Sequence, residues 1–154
     1  MTDYAAIERD VRAAVNEATS SREAMTAAVR TLKTRVPDYS WVGIYLLDGA
    51  ELVLGPYLGK PSPHTRIPLG RGICGAAATE RSTIVVDDVN GDPRYLACSL
   101  DTQSEIVVPI MRGADVLGEI DIDSDRRAAF AAPDRQLLEA VAAMLSEKML
   151  SETL

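Results

Sequence analysis

The stretch Trp41-Val42-Gly43-Ile44-Tyr45-Leu46-Leu47-Asp48-Gly49-Ala50-Glu51-Leu52-Val53-Leu54 switches the chain from helical to extended periodicity. Aromatic and branched residues dominate Trp41 to Leu47, Asp48-Gly49 is a hairpin signal, and Glu51 to Leu54 supplies a returning strand. A β-meander begins here. Upstream, Tyr4, Ile7, Val11, Ala14, Val15 and Ala18 recur at helical spacing and predict an amphipathic first helix over 3–18. Ser20 and Glu23 then have capping-box spacing, and Met25, Ala28, Val29 and Leu32 carry a second apolar stripe that Pro37 stops.

Downstream, four prolines and four glycines between Gly55 and Gly72 predict a long loop, with a short strand at Thr65 to Pro68. Loops of that length in compact domains tend to be functional. Gly72 to Glu80 reads as a short helix with Cys74 in its first turn, and Thr83 to Val86 as a buried strand. Asp87 to Ser104 is a second long loop, which bears Cys98. Glu105 to Met111 and Val116 to Asp123 are two strands joined at Gly113-Ala114-Asp115. Pro133 opens a last helix with an apolar face of Leu137, Leu138, Val141, Met144, Leu145 and Met149. This order implies an α+β domain, an antiparallel sheet with helices laid on it.

The 154 residues fit one domain spanning 1–154, and the net charge of −7 argues against nucleic acid or an anionic membrane as partner, since phosphate neutralisation needs clustered Lys and Arg. No apolar run approaches the ~20 residues of a membrane span, and the first residues do not read as an export signal. A cytoplasmic location is therefore expected, with both cysteines reduced or forming a transient redox pair. Two cysteines and one histidine give neither the number nor the spacing for a structural zinc site, so no metal is expected.

In Gly118-Glu119-Ile120-Asp121-Ile122-Asp123-Ser124, side chains alternate, so Glu119, Asp121 and Asp123 share one face and Ile120 and Ile122 the other. A face turned to water would account for the acids without any function. If it lines a pocket instead, adjacent carboxylates raise one another's pKa, hold a proton near neutrality, or bind an ammonium group. Cys74, in the first turn of a helix, is placed where peptide dipoles favour a thiolate and free N–H groups favour an anion; a small buried packing residue is the alternative. Trp41 and Tyr45 face the same way from one strand, as core residues or as pocket walls. His64 is expected to be a solvated loop histidine, with a proton donor near the pocket as the other option.

Taken in order, Ser40 to Leu47, Leu52 to Tyr57, Arg66-Ile67-Pro68-Leu69-Gly70-Arg71-Gly72-Ile73-Cys74-Gly75, Ala97-Cys98, Ser104 to Pro109 and Ile120 to Ser124 resemble the free methionine-(R)-sulfoxide reductases, which are stand-alone GAF domains. The similarity covers about 38–145. It implies a GAF-like central antiparallel sheet of about six strands, with N- and C-terminal helices on one face and a loop-bounded pocket on the other. It also implies reduction of free methionine-(R)-sulfoxide, with Cys98 matching the attacking thiol and Cys74 a second redox cysteine. Glu105, Asp121 and Asp123 match acidic residues that contact the substrate. On this resemblance Glu105 is the acid that protonates the sulfoxide oxygen, Asp121 or Asp123 meets the substrate ammonium, and backbone near Gly72, Ile73 and Gly75 receives its carboxylate. Trp41 and Tyr45 bracket its apolar groups. No bound cofactor is implied; an external dithiol reductant such as thioredoxin would reset the disulfide, and a homodimer through the first or last helix is expected.

Two positions depart from the family pattern. His64 stands where three-cysteine members carry another cysteine, and Glu119 stands where an apolar residue is expected. A rival reading follows from the first: a non-catalytic GAF domain that binds a small molecule and reports it to a partner.

Overall fold

The computed structural model describes residues 1–97 and 100–153, with side chains described to 150. Four α-helices, α1 (Tyr4–Glu17), α2 (Ser21–Arg35), α3 (Gly72–Glu80) and α4 (Ala132–Thr153), accompany six strands. These are β1 (Trp41–Asp48), β2 (Glu51–Leu58), β3 (Arg66–Pro68), β4 (Ile84–Val86), β5 (Ser104–Arg112) and β6 (Asp115–Ser124). They form one sheet in the order β3-β2-β1-β6-β5-β4, with every neighbouring pair antiparallel.

Strand parity divides the protein into two cores. Val42 and Ile44 of β1, Ile106, Val108 and Ile110 of β5, and Ile120 and Ile122 of β6 face α1, α2 and α4, where Val11, Leu32, Leu138 and Leu145 bury against them. This larger cluster is the apolar stripe of each amphipathic helix meeting one sheet face. On the opposite face Trp41, Tyr45, Leu52 and Val107 join Ile67 of β3 and Ile73, Cys74, Ala77 and Ala78 of α3 in a smaller cluster. The acidic positions of β6 belong to that second face.

Several local expectations change. β2 runs on to Leu58, four residues into the expected loop, because a bulge between the Gly43 and Tyr45 pairings absorbs Gly55 and Pro56. A bulge removes the demand for the ladder hydrogen bond that proline cannot donate. β4 is an edge strand with Val85 exposed, so it is not buried throughout. The second long loop contains a 3-10 turn at Val89–Gly91. The capping box is half realised: the Ser20 hydroxyl accepts from Glu23 N at 3.1 Å, while the Glu23 carboxylate accepts from Thr19 N and Oγ1 rather than from Ser20.

Candidate active site

Cross-strand register builds the site. Trp41 and Glu105 both pair with Asp123, Gly43 and Val107 both pair with Asp121, and Tyr45 and Pro109 both pair with Glu119. Directly paired residues share a face, so Glu105 of β5 joins the three acids of β6. Gly43 leaves space that the Trp41 indole fills: a Cβ there would lie 2.3 Å from the ring. α3 and its flanking loops cover this surface. Glu119, Asp121, Asp123 and Glu105 consequently retain only 0, 2, 3 and 5% of their exposure. A solvated acidic face, one of the two readings of the β6 alternation, is thereby excluded.

Burial decides the protonation of these groups. Burial in low dielectric disfavours the charged form, and each carboxylate adds to its neighbour's cost. Asp123 is pushed well up by burial and then by the charge of Asp121, and Glu119 by the same two causes. Asp121 is raised by burial too, but hydrogen bonds from Glu105 and from the Cys74 thiol hold it back. Glu105 also hydrogen-bonds Asp123. Burial thus favours the protonated form of Asp121 and Asp123, with Glu105 packed beside both. Glu119 has both oxygens buried without a hydrogen-bond partner, as have Asp121 Oδ1 and Asp123 Oδ1.

Cys74 lies against this group. Its sulfur and one oxygen each of Glu105 and Asp121 are all within 4.8 Å of one another. Of the two readings of Cys74, the buried residue holds rather than the dipole-favoured thiolate. Burial, and then the charges of Asp121, Glu119 and Glu105, push the thiol well above its ordinary value. A helix dipole is worth about half a charge, which several buried carboxyl groups outweigh. Burial and these charges favour the protonated thiol at Cys74, beside Asp121 and Glu119.

A cavity of about 20 Å³, room for roughly one water, is lined by Tyr45, His64, Ile67, Gly72, Ile73, Cys74, Leu96, Glu105 and Asp121. Of the residues singled out in the sequence, Cys74, Glu105, Asp121, Tyr45, Gly72 and Ile73 thus come together. Asp123 stands behind them beside Glu105. Trp41 is outside the lining: it stacks on Tyr57 at 5.6 Å and donates from Nε1 to the Lys60 carbonyl at 3.0 Å, so it fixes the β2–β3 loop. Gly75 is also outside. Its amide donates to the Arg71 carbonyl at 2.9 Å, and an added Cβ would sit 2.9 Å from Gly70 N, so its role is close contact between α3 and the preceding turn. Cys98 lies outside the described residues.

His64 is the residue that sequence reasoning placed in solvent. It is half-buried, its Nε2 is 3.0 Å from the Ala97 carbonyl, and its own carbonyl accepts from the Tyr45 hydroxyl at 2.8 Å. It bridges the two long loops at the cavity mouth. No local signal marks this; the only hint was the coincidence of His64 with a family cysteine position.

Comparison with known proteins agrees with this geometry. The family model described as GAF domain matches residues 20–148. The chain is 37% identical over 150 residues to the free methionine-R-sulfoxide reductase of Escherichia coli (strain K12), covering 97% of this chain and 90% of that protein. Free methionine-R-sulfoxide reductase from Neisseria meningitidis, solved in complex with its substrate, superposes with a TM-score of 0.93 at 34% identity, covering 97% of this chain and 90% of that one. A type II free methionine-R-sulfoxide reductase from Thermoplasma acidophilum gives 0.82 at 40% identity, over 85% of this chain and 93% of that one. A six-stranded antiparallel sheet whose second face carries buried acids and a cysteine, and near full-length identity above 30%, place this chain in the free methionine-R-sulfoxide reductase family of GAF domains.

Proposed function

We propose that residues 1–154 act as one GAF domain that reduces free L-methionine-(R)-sulfoxide to methionine with its own thiols. The observation that carries this reading is the buried acidic group of Glu105 and Asp121 within 4.8 Å of the Cys74 sulfur, with Asp123 paired to Glu105 across the sheet. A sulfoxide sulfur becomes electrophilic when its oxygen is protonated, and a buried acid delivers that proton where water would otherwise compete. Glu105, which lines the cavity with Asp121 and pairs with Asp123 across the sheet, takes that role.

In the proposed sequence the Cys98 thiolate attacks the sulfoxide sulfur as Glu105 protonates the oxygen. The S–O bond passes to the enzyme: methionine leaves and Cys98 becomes a sulfenic acid. Cys74 then gives its proton to Asp121 and attacks the sulfenic sulfur, forming a disulfide and releasing water. A thioredoxin-like dithiol returns both cysteines to thiols. Such a cycle suits the reducing cytoplasm. Asp121 and Asp123, where not protonated, attract the substrate ammonium, and Tyr45 meets its apolar part. The assembly proposed with this activity is a homodimer through α1 or α4, which family resemblance supports; a concentration-independent monomer mass in sedimentation overturns it.

The experiment is a single turnover of fully reduced protein with each epimer, counting methionine formed and thiols lost. About one methionine per chain from the R epimer alone, with loss of both thiols, is the expected result. No methionine and two intact thiols overturn the reading in favour of a small-molecule-binding GAF module.

A further inference from the structure

We propose that the reduced protein holds one thiophilic divalent cation, of the Zn²⁺ class, between Cys74 Sγ and one carboxylate oxygen each of Glu105 and Asp121. These three atoms already lie within 4.8 Å of one another, each on a buried side chain. Zn–S of about 2.3 Å and Zn–O of about 2.0–2.2 Å place tetrahedral ligands roughly 3.5 Å apart, so side-chain shifts of about 1 Å close the site. The ligands come from α3, β5 and β6, three rigid elements.

A second observation points to a cation. Asp121 Oδ1, on a ligand side chain that is 2% exposed, has no hydrogen-bond partner, and neither oxygen of the fully buried Glu119 makes a hydrogen bond of normal geometry, the Cys74 thiol being its neighbouring donor. Glu119 is close enough to Cys74 for its charge to act on the thiol. Among the described residues no Lys or Arg forms an ion pair with Glu119, Asp121 or Asp123. Buried carboxyl oxygens that find no donor are stabilised by a positive charge at short range. The donor set selects which charge. A thiolate favours a borderline-soft ion, whereas Ca²⁺ and Mg²⁺ demand six or more oxygens. Three protein ligands leave a fourth position, the arrangement of an open zinc site.

Binding is an exchange of ion for proton: Cys74–SH and Zn²⁺ give Cys74–S–Zn and one H⁺, with further protons released from the neighbouring carboxyl groups. The inference concerns the site's donors and stands whether or not the chain is a reductase. Where it is one, the ion occupies the thiol and the acid together, and turnover stops until a chelator removes it.

The test uses untagged protein carrying Cys98→Ser, so that Cys74 is the sole thiol, titrated with Zn²⁺ against a chromophoric chelator and with Cd²⁺ in the near ultraviolet. One ion per chain, proton release in weakly buffered solution, and a Cd²⁺–thiolate charge-transfer band are expected. Adding Cys74→Ser abolishes the band and weakens Zn²⁺ at least tenfold; Asp121→Asn, which keeps the side-chain shape, weakens it at least tenfold while far-ultraviolet circular dichroism is unchanged. Zn²⁺ affinity unchanged by Asp121→Asn, binding at several ions per chain, or no thiolate band overturns the proposal.

Discussion

Glu105 on β5 and Asp123 on β6 are direct cross-strand partners, both buried, with Asp123 pushed up by burial and by the charge of Asp121. The sheet register therefore fixes the carboxyl pair, Glu105 in the cavity wall and Asp123 behind it, rather than leaving it to loop geometry. Removing the acid while keeping the shape tests its role. Glu105→Gln is expected to slow single-turnover reduction of the R epimer by about 10²-fold or more, the usual contribution of a general acid, with ligand affinity changed far less. Rapid-quench kinetics beside equilibrium binding separate the two, and a wild-type rate in the variant removes Glu105 from the chemistry.

Cys74 is expected to be a poor nucleophile in the resting protein. Thiolate, not thiol, reacts with alkylating and disulfide reagents, and this thiol is buried and pushed up by burial and by the charges of Asp121, Glu119 and Glu105. In a Cys98→Ser background, reaction with a chromogenic disulfide at pH 7.5 should run at least 100-fold slower than in the urea-unfolded chain. Equal rates would mean that the carboxyl cluster does not control the sulfur.

Glu119 makes stability depend on pH in a definite direction. Its folded pKa is raised above the ordinary carboxyl value of 4.5 by burial first and Asp121 second. Below that ordinary value the group is protonated in both folded and unfolded chains, and its contribution to stability is fully present. As pH rises past it, the unfolded chain ionises first, and stability is lost until the folded group ionises as well. Glu119→Leu should therefore stabilise the protein, by about 1–3 kcal/mol at pH 8 and by less at pH 4. Urea midpoints across that range check the sign; a gain that is larger at pH 4 than at pH 8 contradicts it.

Much of this was legible along the chain because strand parity is local. The alternation in β6 assigns Ile120 and Ile122 to one face and the three acids to the other, and the structure keeps that division. What alternation cannot state is which layer covers the acidic face. That depends on α3, whose Ile73, Ala77 and Ala78 lie about forty residues upstream of β6 and reach it only in the folded sheet. The two readings of Cys74 stay open along the chain for the same reason: the helix dipole is visible in the sequence, whereas its burial and the convergence of Glu105 and Asp121 on it are not. Pro56 misled differently, since a proline normally ends a strand and the bulge that tolerates it is a property of the β1 pairing. The expectation for Cys98 rests on family resemblance alone.

His64 supplies the last prediction. Because the Ala97 carbonyl can only accept, the His64 Nε2 facing it at 3.0 Å carries the hydrogen, and Ala97 immediately precedes Cys98. The ring thus ties the loop before β3 to the segment that leads into the proposed nucleophile, while its carbonyl is held by the Tyr45 hydroxyl. A hydrogen bond of this kind is worth about 0.5–1.5 kcal/mol net, which corresponds to roughly a 2- to 10-fold change in the population of the tied arrangement. His64→Ala should lower the single-turnover rate by that factor, His64→Gln should recover part of it through its amide donor, and Tyr45→Phe should act in the same direction by releasing the other side of the residue. A role in proton transfer would instead leave His64→Gln as slow as His64→Ala. If both variants reduce the R epimer at the wild-type rate, the bridge between the two loops is structural ornament and the position of Cys98 is set elsewhere.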